Sequence, residues 1–340
     1  MHGVLQLAYN GLEYLLKKKQ LSSPPVQISI EPTNICNFRC SFCPQSDPGH
    51  RTANPGKMSL ARCRDLLQRA IRDFYPDPRN RKVSFTHDGE PFVNEEFIGF
   101  LQEAARLQYI IKFASNAYLA RREYVDTLVS SRVKFNICVD FTAEREIFER
   151  CRGFEGSYEV VLENLRYLLS KARDTGLIFV DICDISGYYI EDPEEREALF
   201  VKLKDMFQGL NSRNVQFSRR IFHNMAGAVR LPSPRSTGGG KYRLCPYPWF
   251  NMNITWNGDV VPCCRDLDSR TILGNVFEVD SLWDIWNSQQ YKLLREALIA
   301  KRLQEIASCR ACDLPYDDRR WRAGYVLETL KARLLRSGRR

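Results

Sequence analysis

The chain has 340 residues, enough for one large domain and a smaller one, and its 44% apolar and 27% charged residues are typical of a globular protein. No run of about 18 apolar residues occurs, which argues against a transmembrane helix. Lys and Arg exceed Asp and Glu by nine, which favours anionic partners but is too diffuse to indicate nucleic acid.

Residues 1–24 are expected to contain an amphipathic helix, because apolar residues recur at helical spacing before Lys17, Lys18 and Lys19. We expect this apolar stripe to pack against the main domain. Attachment to a membrane surface is the alternative, since the basic end resembles that of interfacial helices. The basic cluster follows the apolar stretch, whereas in a secretory signal it would come first. The expectation is therefore a cytoplasmic protein with reduced cysteines.

Residues 25–220 alternate short β-rich segments with helical patterns. Six such units predict parallel strands with right-handed crossovers, and hence an α/β sheet or barrel whose chemistry lies at the C-terminal ends of its strands. The predicted strands are 26–31, 83–86, 110–115, 133–141, 178–185 and 215–218, and the predicted helices are 59–73, 95–107, 121–131, 157–173 and 193–208.

The alternation stops in a segment rich in Arg and Lys and free of Asp and Glu, which predicts a basic linker over 221–243. A solvated loop is the simpler interpretation. The alternative is a surface that contacts phosphate or carboxylate on a substrate, with Arg219 and Arg220 as the candidate residues.

A small second domain is expected over 244–315. Asn257-Gly258 predicts a β-hairpin whose two turn residues both have positive φ. Ser281 then resembles the start of a helix. A basic terminal helix is expected over 316–340.

Three cysteines, Cys36, Cys40 and Cys43, lie in one loop after the first strand with the spacing C-x3-C-x2-C. Three thiolates can bind three irons of a [4Fe–4S] cubane, which normally has four protein ligands. The fourth iron is then open to a small chelating molecule, as catalytic zinc keeps one position open. Chance spacing and an incomplete zinc loop are the alternatives.

This loop resembles the cluster motif of radical S-adenosylmethionine (SAM) enzymes, in which the amino and carboxylate groups of SAM bind the open iron. The resemblance implies a partial (β/α)6 TIM-like barrel, in agreement with the six units counted above. It also implies a SAM site, with Phe42 near the adenine and a G-G-E-P-like segment at the methionyl amine. The implied cofactor-binding residues are Phe42, Gly89, Glu90, Pro91, Asn116, Cys138, Asp140 and Arg152.

A second set of four cysteines comes from three separated segments: Cys245, Cys263, Cys309 and Cys312. A tetrahedral zinc site would have the same appearance in sequence. The order of the four resembles the twitch domain, a shortened SPASM domain that binds one auxiliary [4Fe–4S] cluster. Full SPASM domains need about three more cysteines here, so two [4Fe–4S] clusters are expected in the whole protein.

Several residues are candidates for the chemistry itself. Cys138 and Cys183 alternate with aspartates on two strands and are expected to face the barrel interior, and Cys264 adjoins a cluster ligand. Any of the three could return a hydrogen atom to a substrate radical. The candidate acid–base groups are His87 and Asp181, together with Asp184 and His223.

The resemblance implies cleavage of SAM to a 5′-deoxyadenosyl radical, which abstracts a substrate hydrogen. We expect dehydrogenation of a small polar natural-product intermediate, a carbohydrate or aminocyclitol, as in the aminocyclitol alcohol dehydrogenase that shares the four-cysteine pattern. The alternatives are a thiol-dependent epimerase, a ribosomal-peptide-modifying enzyme and an RNA-modifying enzyme. The expected partners are a flavodoxin- or ferredoxin-type electron donor and a substrate with an anionic group. Nucleic acid is disfavoured because the basic residues are dispersed.

Overall fold

The computed structural model describes residues 3–52, 54–232 and 241–317. These residues form one sheet in the strand order β6-β5-β4-β3-β2-β1-β7-β8. All neighbouring strands are parallel except β7 and β8. The strands are β1 Gln27–Ile30, β2 Lys82–Phe85, β3 Ile110–Ser115, β4 Phe135–Phe141, β5 Ile178–Asp184, β6 Val215–Arg219, β7 Asn251–Ile254 and β8 Val260–Val261.

The crossovers between the first six strands contain helices, so the predicted α/β architecture with a partial TIM-like barrel is confirmed. Three short helices, α2, α6 and α9, are not among the predicted ones. The α-helices are α1 Gly3–Leu15, α2 Pro48–Thr52, α3 Leu60–Asp73, α4 Phe97–Arg106, α5 Arg122–Ser130, α6 Arg145–Arg152, α7 Ser157–Thr175, α8 Pro193–Asp205, α9 Tyr247–Phe250, α10 Leu282–Trp286 and α11 Gln289–Ile299.

The fourth strand illustrates how the sheet separates core from site. Phe135, Ile137 and Val139 are buried on one face, where each large apolar side chain contributes about 1.5–3 kcal/mol to folding. The alternate residues of β4, Cys138 and Asp140 among them, therefore occupy the other face.

The hairpin β7–β8 extends the barrel sheet, because β7 pairs in parallel with β1. The second domain thus begins as a continuation of the first. The hairpin was predicted correctly, but its turn was not. Gly258 has a φ of 95°, whereas Asn257 is not among the residues with positive φ. The turn is closed by a hydrogen bond from Gly258 N to Thr255 O at 2.9 Å, and only its last residue is left-handed.

The N-terminal helix α1 packs against the main domain, as expected, but with the opposite face. Gln6, Asn10 and Glu13 are buried, whereas Leu12 and Leu16 of the apolar stripe are exposed. The reason is that the polar side chains satisfy backbone groups of the following loop, with Asn10 Nδ2 donating to Pro24 O at 2.8 Å.

The remaining segments differ partly from expectation. Part of the predicted linker is buried, including Phe222 and His223. The helix predicted from Ser281 is divided into α10 and α11 at Asn287, whose side chain bonds the backbone of Leu21 in both directions. The predicted terminal helix lies outside the described residues from position 318 onward. None of the described helices has the length and hydropathy needed to cross a membrane.

Candidate active site

The three-cysteine loop follows β1 and is held by backbone contacts on two sides. Gly89 N donates to Thr33 O at 3.2 Å, and Arg39 N donates to Arg152 O at 3.1 Å. A Cβ at Gly89 would lie 2.4 Å from Thr33 O, so only glycine fits this approach. The strand β2 and the helix α6 therefore fix the loop.

Without a bound cation, deprotonation of the thiols in this loop is unfavourable. Burial raises the pKa of Cys36 to about 12 and that of Cys43 well above the usual range. A coordinated metal keeps a thiol deprotonated, so burial and donor type both fit an iron–sulfur cluster. The buried Arg152 guanidinium interacts with Cys40 and Cys36 and supplies positive charge beside it.

The expected methionyl-amine segment is bound to the end of β3. The buried Glu90 carboxylate accepts hydrogen bonds from Ser115 Oγ at 2.8 Å, Asn116 N at 2.6 Å and Phe92 N at 3.2 Å. Asn116 Nδ2 also donates to Asn37 Oδ1 of the cysteine loop at 2.8 Å. Glu90 and Asn116 therefore lie beside the cysteine loop, and Pro91 begins the short turn that follows Glu90.

Two arginines converge on the buried Asp140 carboxylate. Arg220 Nη1 contacts its two oxygens at 2.8 and 2.9 Å, and Arg152 Nη1 contacts one of them at 3.3 Å. The Arg220 guanidinium also lies 5.5 Å from the ring centre of Phe42, which packs against Phe222. Arg152 Nε has no hydrogen-bond partner among the described residues. The site thus combines an aromatic surface with a cationic donor that is available to a ligand.

The inner face of β4 and β5 brings together two further cysteines. Cys138 pairs with Asp181 and Asp140 with Cys183 in the strand register. The neighbouring Cys138 thiol, together with burial, raises the pKa of Cys183. Asp181 is held by Ser218 Oγ at 2.8 Å. The two thiols therefore face the same interior as Asp140.

The four cysteines of the second set lie near one another, and a buried cation lies beside two of them. Cys245, Cys309 and Cys312 all interact with Cys263, whose pKa is raised by burial and by these thiols. Arg265 is buried beside Cys263 and Cys312, and its Nε and Nη1 donate to no described atom. Unpaired guanidinium donors among buried thiols fit an anionic cluster, whose sulfurs accept hydrogen bonds.

Acidic and histidine side chains occupy the space between the two cysteine sets. The buried Glu31 carboxylate accepts from Asp88 N at 3.0 Å and from Trp256 N of the hairpin turn at 2.9 Å. His87 interacts electrostatically with Glu31 and with the buried Asp266, and both of its ring nitrogens are buried without a hydrogen-bond partner in the described part of the chain. The His87 imidazole thus lies near acidic residues of both domains.

His50 of α2 closes one side of this space. Its Nε2 contacts Asp88 Oδ2 at 2.8 Å, and its Nδ1 contacts Asp268 Oδ1 of the second domain. Burial opposes protonation of His50, but the bonds to Asp268 and Asp88 raise its pKa to about 10. The cationic imidazolium therefore joins two carboxylates of different domains.

Some predicted residues lie elsewhere or serve other contacts. Arg219 pairs with Glu197 at the surface, and Arg220 with Asp140, so the pair does not form the expected surface for a substrate anion. The Asp184 carboxylate accepts a hydrogen bond from Ser186 Oγ, and His223 lies against Asp313. Cys264 adjoins Cys263, partly exposed. The sequence analysis did not identify Glu31, His50 and Arg265 as site residues. Of the three, only Glu31 could have been recognised, because it is an acidic residue at the end of a predicted barrel strand.

Known proteins resemble this chain over most of its length. A protein of Pyrococcus furiosus, named tungsten-containing aldehyde ferredoxin oxidoreductase cofactor-modifying protein, is 25% identical over 327 residues, covering 84% of this chain and 86% of its own. The crystal structure of BtrN in complex with AdoMet and 2-DOIA shares the fold with a TM-score of 0.55 and 15% identity, over 86% of this chain and 94% of that chain. A structure of anSMEcpe with bound AdoMet and Cp18Cys peptide has a TM-score of 0.56 and 13% identity, covering 91% and 98%.

Two family models match the chain. The Radical SAM superfamily model matches residues 30–199, and the SPASM model, an iron-sulfur cluster-binding domain, matches residues 245–313. The first domain implies SAM and a SAM-binding [4Fe–4S] cluster, and the second implies auxiliary iron–sulfur chemistry, as expected from the two cysteine sets. The chain therefore belongs to the radical SAM superfamily.

Proposed function

We propose that this radical SAM enzyme is an oxidoreductase that dehydrogenates a small polar substrate, of the carbohydrate or aminocyclitol class, with one auxiliary [4Fe–4S] cluster. The observation that carries the proposal is the His87 imidazole, which interacts with Glu31 of the barrel and Asp266 of the second domain and whose ring nitrogens have no hydrogen-bond partner among the described residues. Oxidation of a C–H bond next to a hydroxyl or amine needs a group that accepts a proton, and a free imidazole suits this task.

In this proposal Cys36, Cys40 and Cys43 hold the SAM-binding cluster, and Cys245, Cys263, Cys309 and Cys312 hold the auxiliary one. When bound, SAM and the two clusters supply the hydrogen-abstracting radical and the acceptor for the electron that the substrate releases. Phe42 would face the adenine, and Arg152 and Asp140 would contact the methionyl carboxylate and ribose. Gly89, Glu90 and Asn116 would hold the methionyl amine against the cysteine loop.

His87 then accepts the proton that leaves the substrate as its second hydrogen is lost. Burial raises the pKa of Glu31 and of Asp266, while the charge of His87 acts to lower both. An imidazolium formed at His87 would therefore favour the charged carboxylates and be stabilised by them. Asp266 itself is held by Arg270 N and Thr271 N at 3.0 and 3.1 Å, which keeps it in place during this change. In this proposal, His87 alone accepts the proton that the oxidation releases.

The His50 bridge between the barrel and the second domain supports a small substrate over a peptide. His50 bonds Asp88 and Asp268 and so joins the two walls of the space beside His87. BtrN was crystallised with 2-DOIA, which makes that compound a suitable first probe. A flavodoxin- or ferredoxin-type protein is proposed as the electron donor.

The proposal is tested by anaerobic turnover of the reconstituted enzyme with 2-DOIA and a panel of sugars and aminocyclitols in deuterated water. We expect 5′-deoxyadenosine together with a product two mass units lighter than its substrate. Failure to form 5′-deoxyadenosine with any member of the panel, or a product of unchanged mass, would count against dehydrogenation.

Two adjacent cysteines provide a matched control. Cys263→Ala should lower the iron content from about eight to about four atoms per chain, whereas Cys264→Ala should leave it unchanged. His87→Gln should still form 5′-deoxyadenosine but lose about a hundredfold or more of the oxidised product. Equal loss of 5′-deoxyadenosine and product in His87→Gln would show that His87 acts before proton removal.

Epimerisation is the second candidate, favoured by the adjacent thiols of Cys138 and Cys183. A thiol could return a hydrogen atom to the substrate radical, with no net oxidation. The same experiment separates the two reactions, because an epimer would keep its connectivity and gain one solvent deuterium. In that case Cys183→Ala should abolish deuterium incorporation while 5′-deoxyadenosine is still formed.

A further inference from the structure

The helix α1 presents its polar side chains inward and its apolar side chains outward. Gln6 Nε2 donates to Pro25 O at 3.0 Å, and Asn10 Nδ2 donates to Trp249 O at 3.2 Å. The buried Glu13 carboxylate accepts from the backbone of Ser22 at 2.9 Å. These three residues recur at helical spacing and fasten the helix to the body of the protein.

The opposite side, called the α1 face, consists of Leu5, Tyr9, Leu12, Leu15 and Leu16. The four leucines are 53%, 49%, 75% and 60% exposed, respectively, although they could have packed inward had the helix been rotated. Glu13 is the only charged residue of Gly3–Leu15, and it points inward. The α1 face is therefore a continuous apolar strip exposed to solvent without a charge on it, which is a frequent mark of an interaction site.

Lysines border this strip at its C-terminal end. Lys17, Lys18 and Lys19 follow directly and are exposed. Lys292 of α11 borders the same surface hollow as Lys18 and Lys19. The Lys19 ammonium bonds Glu296 of α11 at 3.0 Å, which places the two helices side by side.

This combination fits an anionic membrane surface better than a second copy of the chain. One side of a 13-residue helix is roughly 20 Å long and offers about 200 Å², far below the roughly 800 Å² per partner of a stable protein interface. An interfacial helix needs only an apolar face that enters the headgroup region and basic residues that meet anionic lipid.

We propose that the α1 face and its lysine border dock the enzyme reversibly on anionic membranes. The leucines enter the boundary between headgroups and acyl chains, while Lys17 and Lys292 meet the lipid phosphates. Lys18 and Lys19 join them by exchanging their contacts with Glu13 and Glu296 for phosphate. The polar bonds of Gln6, Asn10 and Glu13 keep the helix attached to the barrel, so docking brings the whole enzyme to the surface.

The test is co-sedimentation of the full-length protein with vesicles of phosphatidylcholine, with and without phosphatidylglycerol. We expect binding to vesicles with phosphatidylglycerol that weakens as salt rises, and little binding to phosphatidylcholine alone. Absence of binding, or equal binding to both vesicle types, would overturn the proposal.

Variants locate the binding surface. Leu12→Asp combined with Leu16→Asp should abolish sedimentation, and each lysine changed to Gln among Lys17, Lys18 and Lys19 should weaken partitioning about fivefold. Val201→Asp, which adds a charge at an exposed apolar position of α8, should bind as the unaltered protein does. Circular dichroism verifies that each variant is folded. Self-association in analytical ultracentrifugation that the leucine variant abolishes would instead assign the face to a second copy.

Discussion

Arg219 and Arg220 are consecutive residues with opposite environments. Arg219 ends β6, lies over the ring of Phe200 and pairs with Glu197 at the surface. Arg220 turns inward to the Asp140 carboxylate, and the charge of Asp140 raises its pKa further above the usual range, against the effect of burial. Two neighbouring residues of the chain therefore differ in role: Arg219 forms a surface ion pair, and Arg220 belongs to the candidate site.

Replacing each arginine should separate these roles. Arg220→Ala leaves the buried Asp140 with Arg152 alone, and we expect SAM binding to weaken at least tenfold, since truncating a buried charge pair costs about 2–5 kcal/mol. Arg219→Ala should change stability by less than about 1 kcal/mol and leave SAM affinity unaltered. Isothermal titration of the reconstituted variants with SAM measures both effects, and similar affinities in the two would contradict the assignment.

Among single residues, the sequence identifies those whose function is indicated by their spacing along the chain. Cys36, Cys40 and Cys43 could be grouped because a single loop holds them. Arg220 and Arg265 could not be assigned, because a guanidinium has no preferred spacing. Their positions depend on which strands lie side by side, and that is known only once the sheet is assembled.

Among the helices, the short helix α6 supports the cysteine loop through backbone contacts. It ends at Gly153, which has a φ of 60°, and a Cβ there would lie 2.2 Å from Arg39 O. Ser41 N also donates to Cys151 O at 2.9 Å. The C-terminal end of α6 and the loop thus touch backbone to backbone.

Two glycines allow a controlled test of this contact. Gly156→Ala has a positive φ but no neighbour within 4 Å of the new Cβ, so we expect a loss of about 1 kcal/mol from backbone strain alone. Gly153→Ala adds a collision with the cysteine loop and should cost more, and it should also lower iron incorporation at Cys36, Cys40 and Cys43. Urea denaturation and iron analysis of both variants provide the comparison. Equal effects would mean that the loop adjusts freely.

Strands and helices could be predicted where the apolar residues follow a single periodicity, either that of a strand or that of a helix. The strands β3, β4 and β5 are buried on their apolar face, and their ends were placed within about two residues. The helix α6 was missed because its sequence, REIFERCR, has only three apolar residues, and the other five are charged. The orientation of α1 was wrong because an apolar stripe does not reveal that polar partners for the other face exist elsewhere.

For the whole molecule, the contact of His50 with Asp88 and Asp268 couples the barrel to the second domain. The pKa of His50 is raised to about 10 from an ordinary 6.5, so its stabilisation is fully present below about pH 6.5 and is lost as the pH rises through 10. The pKa of Asp268 is lowered by the same contact, so that contribution is lost in acid as the pH falls through its lowered value.

We therefore expect His50→Gln to reduce the free energy of unfolding by about 1–3 kcal/mol at pH 6, and by less at pH 9. Urea denaturation of both proteins at the two pH values measures the difference. Lys57→Gln, which removes an exposed contact to Glu95, serves as the control and should cost less than about 1 kcal/mol at both. A loss in His50→Gln that is independent of pH would show that the imidazole is neutral in the folded protein.

The pairing of β7 with β1 has a consequence for how the polypeptide can be divided. The strand before the cysteine loop is flanked by β2 on one side and β7 on the other, so it is an interior strand of the sheet. A protein truncated between the two matched domains would lack β7, so one edge of β1 would expose unpaired backbone amide and carbonyl groups, which favours aggregation. The N-terminal portion is thus not an independent module.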